Sequence, residues 1–137
     1  MKMSTKARYG MYAAVILGKR YEEGFIKVTD VSKEIEVSDG YLEQIFALLK
    51  RGGIIESQRG ACGGYRLIKS PSETSVGSIL RAVEDNLEIV DCLSGKCKRS
   101  KVCVSHNLWN NLYNRINEYL DSISLIQLIE EEGENVD

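Results

Sequence analysis

One histidine, one proline, one tryptophan and two phenylalanines are all that this chain of 137 residues holds of those types. The scarcity of histidine excludes most. With His106 the sole imidazole, no nucleophile, base and orienting group form a visible constellation, so no enzyme is expected. No apolar run approaches the roughly 20 residues of a membrane span. The opening Met1-Lys2-Met3-Ser4 leads into a mixed, charged helical pattern rather than a signal peptide, so a cytoplasmic protein without a membrane partner is expected. Excess charge is missing too, the formal net charge being −2. That small figure hides an asymmetry, since residues 1–69 carry a net +4 and residues 70–137 a net −6. A basic half of this kind suits a nucleic-acid-facing surface, although +4 alone decides nothing.

What the chain does hold is concentrated in one stretch. Three of its four cysteines and its only histidine lie between Cys92 and His106, at Cys92, Cys97, Cys103 and His106. Thiolate and imidazole are ligands for soft or borderline metals, and four such groups complete a tetrahedral site. His106 follows Cys103 by three residues, the spacing that places both on one face of a helical first turn. Lys96, Lys98, Arg99 and Lys101 lie between the cysteines and offset the charge of bound thiolates. In a cytosolic chain, cysteines clustered in this way bind metal or sense redox state more often than they form disulfides.

The flanking segments define an architecture. Ser4 or Thr5 caps a first helix whose stripe, Tyr9, Tyr12, Ala13, Ile16 and Leu17, extends to Tyr21 before Gly24 ends it. Phe25 to Val28 reads as a short extended piece, and Thr29 as the cap of a short helix with Val31 and Ile35 on one face. Glu36-Val37 makes a tight turn and Ser38 caps a helix from Asp39 to about Arg51. Leu42, Ile45, Phe46 and Leu49 face inwards on it, and Gly52-Gly53 stops it. Two short helices across a tight turn form a helix-turn-helix. Ile54–Arg59 and Tyr65–Ile68 read as two strands around a glycine-rich turn, which adds a wing.

Beyond Pro71, a short helix spans Val76 to Val83, with Ile79, Leu80 and Val83 packing inwards. Asp85-Asn86 ends it, and Leu87 to Val90 leads to Cys92. Leu108, Leu112, Ile116, Tyr119, Leu120 and Ile123 then make a long apolar stripe, with Trp109 and Tyr113 in a second row. So broad a face calls for a partner, and a homodimer through Leu108, Leu112, Ile116 and Leu120 is expected. Ser124 to Gln127 has capping-box spacing and opens a last turn or two of helix. The fold class is therefore mainly α with a small β-hairpin wing: a winged helix-turn-helix plus a long C-terminal dimerisation helix. Its parts are a DNA-binding domain (1–69), a connecting helix and linker (70–91), a cluster-binding loop (92–106), a dimerisation helix with a C-terminal turn (107–129) and an acidic tail (130–137).

Four stretches together resemble the Rrf2 family of winged-helix transcription regulators: Thr5-Lys6-Ala7-Arg8-Tyr9, Tyr41-Leu42-Glu43-Gln44, Arg59 to Leu67 with its glycines, and the three-cysteine loop. Within the family the chain looks most like the IscR-type regulators of iron–sulfur cluster assembly. The resemblance covers nearly the whole chain. It implies a homodimer on a double-stranded DNA operator, with an iron–sulfur cluster of the 2Fe–2S type on Cys92, Cys97, Cys103 and His106. A 4Fe–4S cluster and a structural zinc ion are the alternatives. The chain departs from the best-known pattern in two places. Its first cysteine gap holds four residues rather than five, and Cys62 stands in the wing where glycine is common.

Side-chain chemistry distributes the DNA contacts. The start of the helix at 39–51 enters the major groove, with Ser38, Tyr41, Glu43 and Gln44 near base edges or phosphates. Glutamine bonds adenine in two places, and glutamate accepts from cytosine N4 while repelling phosphate. Arg59 suits the minor groove, and Lys6, Arg8 and Lys50 suit phosphates. The alternative is a nitric-oxide or cysteine-metabolism sensor of the same family, which these residues do not exclude.

Overall fold

Ser4 caps α1 (Thr5–Lys19) as expected, its Oγ accepting the Ala7 N–H at 3.0 Å. The computed structural model describes residues 3–84 and 104–134. The expected break at Asp85-Asn86, the piece Leu87–Val90 and Cys92, Cys97 and Cys103 lie outside the described residues. The inner face of α1 is made largely of small residues, Ala7, Gly10, Ala13 and Ala14, alongside Ile16 and Leu17. Such a face lets neighbouring helices approach closely. The helix ends earlier than its stripe suggests: Lys19 is its last residue, and a 3-10 turn over Tyr21–Glu23 fills the space before Gly24.

Ile26 does not stand free as an extended piece. Its N–H and C=O both exchange hydrogen bonds with Tyr65, each 2.8 Å long, which adds a third rung beside the wing. With the backbone pinned there, the chain turns at once into α2 (Val28–Ile35). Thr29 is therefore not its cap. Lys27 holds that position and makes no side-chain capping bond. Glu36 ends α2 in the left-handed region, at φ 59°, and Ser38 caps α3 (Asp39–Arg51) by accepting the Tyr41 N–H at 3.1 Å. The Ser32 hydroxyl on α2 donates to the Asp39 carboxylate at the start of α3, across the turn between the two helices. Leu42, Ile45, Phe46 and Leu49 are all fully buried, so the face read from helical spacing is the one that packs.

The wing is β1 (Ile55–Gln58) paired antiparallel with β2 (Gly64–Leu67), in the register Ile55 with Leu67 and Ser57 with Tyr65. Gly64, at φ 149°, has the Ile26 backbone against it where a side chain would stand. Behind the wing, Phe46 packs on Tyr65 with ring centroids 4.6 Å apart. Ser75 then caps α4 (Val76–Val83), whose Val76, Ile79, Leu80 and Val83 complete the core.

α5 (Val104–Ser122) starts two residues before the expected end of the loop at His106 and has no buried residue among its 19. Its C-terminal half nevertheless docks on α4. Arg81 bonds the Asp121 carboxylate at 2.7 and 3.0 Å and Asn117 Oδ1 at 2.8 Å, and Tyr113, Leu120 and Ile123 pack on the core. The Asp121 hydrogen bond raises the Arg81 guanidinium above its ordinary pKa, against a smaller opposing effect of burial. Gln127 Oε1 accepts the Ser124 N–H at 2.7 Å, which is the reach-back bond of a capping box. α6 (Leu125–Glu134) is longer than the turn or two expected, and its helix runs through Glu130 to Glu134, into the stretch whose acidity suggests a tail. Leu125 is fully buried, Leu128 and Ile129 pack on the core, and Lys19 pairs with Glu132 at 2.7 Å. A methyl group on Gly18 would lie 2.9 Å from Ile129 Cδ1, so glycine lets α6 lie this close to α1. No helix among the described residues is long and apolar enough to cross a membrane.

Candidate nucleic-acid interface and cluster ligand

The outward row of α3 begins at its capped end. Ser38, Glu43 and Gln44 are exposed and Tyr41 is half-buried. Ser38 Oγ accepts the Tyr41 N–H, which leaves its hydroxyl proton free to donate outward. Tyr41 is held from the side by Tyr9 of α1, edge to face, with ring centroids 6.0 Å apart. Tyr9 directly follows Arg8, so this contact brings the start of α1, with exposed Arg8 and half-buried Lys6, beside the start of α3.

The other end of α3 is joined to the wing. Lys50 Nζ donates to Ser57 Oγ on β1 at 2.7 Å. Six residues of helix place Lys50 about 9 Å along the axis from Gln44. Arg59 is exposed at the hairpin tip, where Gly60 has a φ of 107° and its carbonyl accepts the Gly63 N–H at 3.0 Å. Cys62 is exposed in the same tip. The eight residues expected to contact DNA thus fall into two linked groups. Lys6, Arg8, Ser38, Tyr41, Glu43 and Gln44 gather at the start of α3, and Lys50 and Arg59 lie towards the wing. Arg66 is a cation of the wing committed elsewhere: its Nε donates to Glu56 at 2.6 Å, and its guanidinium lies 4.5 Å from the centre of the Phe25 ring.

His106 is the third residue of α5, in the first turn as its spacing suggested. Its Nδ1 is buried and has no hydrogen-bond partner among the described residues. A buried ring nitrogen left without a partner is costly in a protein interior, and coordination to a metal satisfies it. The donor chemistry at this position therefore fits a metal or cluster ligand. Among the described residues no three His, Cys, Asp or Glu side chains converge on one point, and Cys92, Cys97 and Cys103 lie outside those residues.

The four residues expected at a dimer interface divide in two. Leu108 and Leu112 are 57% and 42% exposed and Ile116 is half-buried, while Leu120 packs on the chain's own core. Helical spacing places all four on one stripe, and the docking of the last turns of α5 onto α4 separates Leu120 from the rest. Two polar groups escaped the sequence reading. Arg81 and Glu84 both bind partners remote in the chain, Asp121 and Ser4, and no local pattern announces either pair.

Known proteins share this fold. The model of the Rrf2 family, described as an iron-dependent transcriptional regulator, matches residues 3–131. The HTH-type transcriptional regulator IscR of Aliivibrio salmonicida is 37% identical over 131 residues, which cover 94% of this chain and 77% of that protein. The solved structure of T. potens IscR aligns with a TM-score of 0.80 at 31% identity, covering 100% of this chain and 92% of the other. CymR, the global cysteine regulator of B. subtilis, aligns with a TM-score of 0.78 at 32% identity, covering 96% of this chain and 98% of its own. With the winged helix-turn-helix, the capped recognition helix and the match over nearly its full length, the chain belongs to the Rrf2 family of transcriptional regulators.

Proposed function

We propose that the chain is a homodimeric regulator that binds operator DNA through α3 and the wing, and responds to an iron–sulfur cluster held by Cys92, Cys97, Cys103 and His106. The buried Nδ1 of His106, without a hydrogen-bond partner among the described residues, is the observation that carries this reading, together with three thiols in the preceding residues. His106 would bring a neutral donor, and the cysteines three thiolates. Lys96, Lys98, Arg99 and Lys101 offset part of the negative charge gathered there. When bound, an iron–sulfur cluster supplies a redox-sensitive link between its ligands, with a potential set by their charge and exposure. His106 sits at the start of α5, whose exposed Leu108 and Leu112 offer the apolar surface for a second copy. A ligand at the head of that helix can therefore bias how two DNA-binding domains are set relative to one another.

Anaerobic purification tests this, with iron and sulfide counted and the visible spectrum recorded. Colour with iron and sulfide in equal amounts supports the cluster, whereas a colourless protein carrying zinc supports a structural metal site. The likeness to CymR favours a second reading, a regulator of cysteine metabolism on the same fold. Under it, His106→Ala leaves operator binding and its response to conditions unchanged.

A further inference from the structure

Ser4 caps α1 with only half of a capping box. Its hydroxyl accepts the Ala7 N–H, but Ala7 itself occupies the position whose side chain would reach back to the Ser4 N–H. A Glu or Gln at that position normally supplies this bond. Here the Ser4 N–H donates to Glu84 Oε2 at 3.2 Å, from 80 residues further along the chain. Charge favours the same arrangement. The first turn of α1 has no acidic residue, and Lys6 and Arg8 place positive charge at the positive end of the helix dipole. The Glu84 carboxylate brings negative charge there from another element. Packing fixes its place: Glu84 is where α4 ends, its N–H bonds the Leu80 carbonyl at 2.8 Å, and a methyl on Gly10 of α1 would lie 3.1 Å from neighbouring Val83.

We infer that Glu84 is a positioning residue for DNA binding: it completes the cap of α1 from outside the helix and so sets the turn that presents Lys6 and Arg8. The inference rests on the assignment of those two residues to phosphate contacts. The same carboxylate makes the start of α1 sensitive to where α4 ends.

The full-length chain is compared with Glu84→Gln and Glu84→Ala in two measurements. Amide hydrogen exchange without DNA reads the cap itself. In Glu84→Ala the Ala7 and Arg8 amides should exchange roughly three- to tenfold faster, with the α3 amides unchanged. Titration of a random-sequence duplex at several salt concentrations reads how the turn is used. Glu84→Ala should bind several-fold more weakly, with a shallower dependence of affinity on salt, because phosphate contacts are what salt competes with. Glu84→Gln should fall between, since it keeps an acceptor oxygen and loses the charge. Adding Lys6→Ala to Glu84→Ala should weaken binding less than Lys6→Ala does alone. Wild-type exchange at Ala7 and Arg8 in Glu84→Ala overturns the inference, and so does faster exchange with unaltered affinity and salt dependence. A wild-type chain that binds no DNA overturns the phosphate assignment and the inference together, whereas a binding wild type that Glu84→Ala matches overturns the role of Glu84 alone.

Discussion

Tyr9 on α1 meets Tyr41 on α3 edge to face, with ring planes at 89° and centroids 6.0 Å apart. The contact joins the turn carrying Lys6 and Arg8 to the first turn of the recognition helix. Phosphate-facing and base-facing candidates are thereby held as one surface. An aromatic pair of this geometry contributes about 0.5–1.5 kcal/mol beyond the area it buries. A double-mutant cycle with Tyr9→Leu and Tyr41→Leu, read by urea unfolding, should return a coupling in that range. A coupling near zero would mean that the two helices are oriented by the core alone.

Gln44 is exposed on α3 and free to reach a base edge. Gln44→Ala should cost about 1–3 kcal/mol on the cognate operator and leave random DNA little affected. Lys6→Ala should instead weaken all sequences alike and reduce the salt slope by about one unit or less. Fluorescence anisotropy with both duplexes separates the two patterns. Equal loss on operator and random DNA for Gln44→Ala would remove it from base reading.

Leu112 is 42% exposed on a helix with no buried residue, which suits a surface covered by a second copy. Leu112→Glu combined with Ile116→Glu should shift the sedimenting species from dimer to monomer while helical content is retained. An unaltered dimer would place the interface elsewhere.

Leu125 stands in contrast, fully buried at the start of α6 beside Gly18. Leu125→Ala should destabilise the fold by about 2–5 kcal/mol in chemical denaturation, as a large-to-small change in a packed core does. A loss below about 1 kcal/mol would mean that α6 docks weakly, far from what a packed core position costs.

Much of this fold is legible in local pattern. The α3 bounds, its cap at Ser38 and its buried row from Leu42 to Leu49 follow from helical spacing and capping chemistry, and α4 from Val76 to Val83 does likewise. Departures occur where contacts remote in the chain decide. The bridge between Ile26 and Tyr65 starts α2 before Thr29 can cap it. Docking of Leu125 and Ile129 against Gly18 carries α6 through residues whose acidity suggested a frayed end. At the candidate site, residue types and spacing pointed to His106 and to the exposed face of α3. The bond between Ser4 and Glu84 had no local signature, because half of a capping box looks complete until its missing partner is sought elsewhere.

The identity of the ligands rests on one comparison, made on protein purified without oxygen: iron content and visible absorption of the wild type, Cys62→Ala, His106→Ala and His106→Cys. With Cys92, Cys97, Cys103 and His106 as the ligands, the wild type and Cys62→Ala show the same spectrum and iron content. His106→Ala assembles the cluster poorly or loses it quickly in air. His106→Cys keeps it with a shifted spectrum and a lower reduction potential, because a thiolate adds negative charge that imidazole lacks. A His106→Ala protein with wild-type iron and colour, beside a colourless Cys62→Ala, would contradict the account and move the fourth ligand from the start of α5 to the wing.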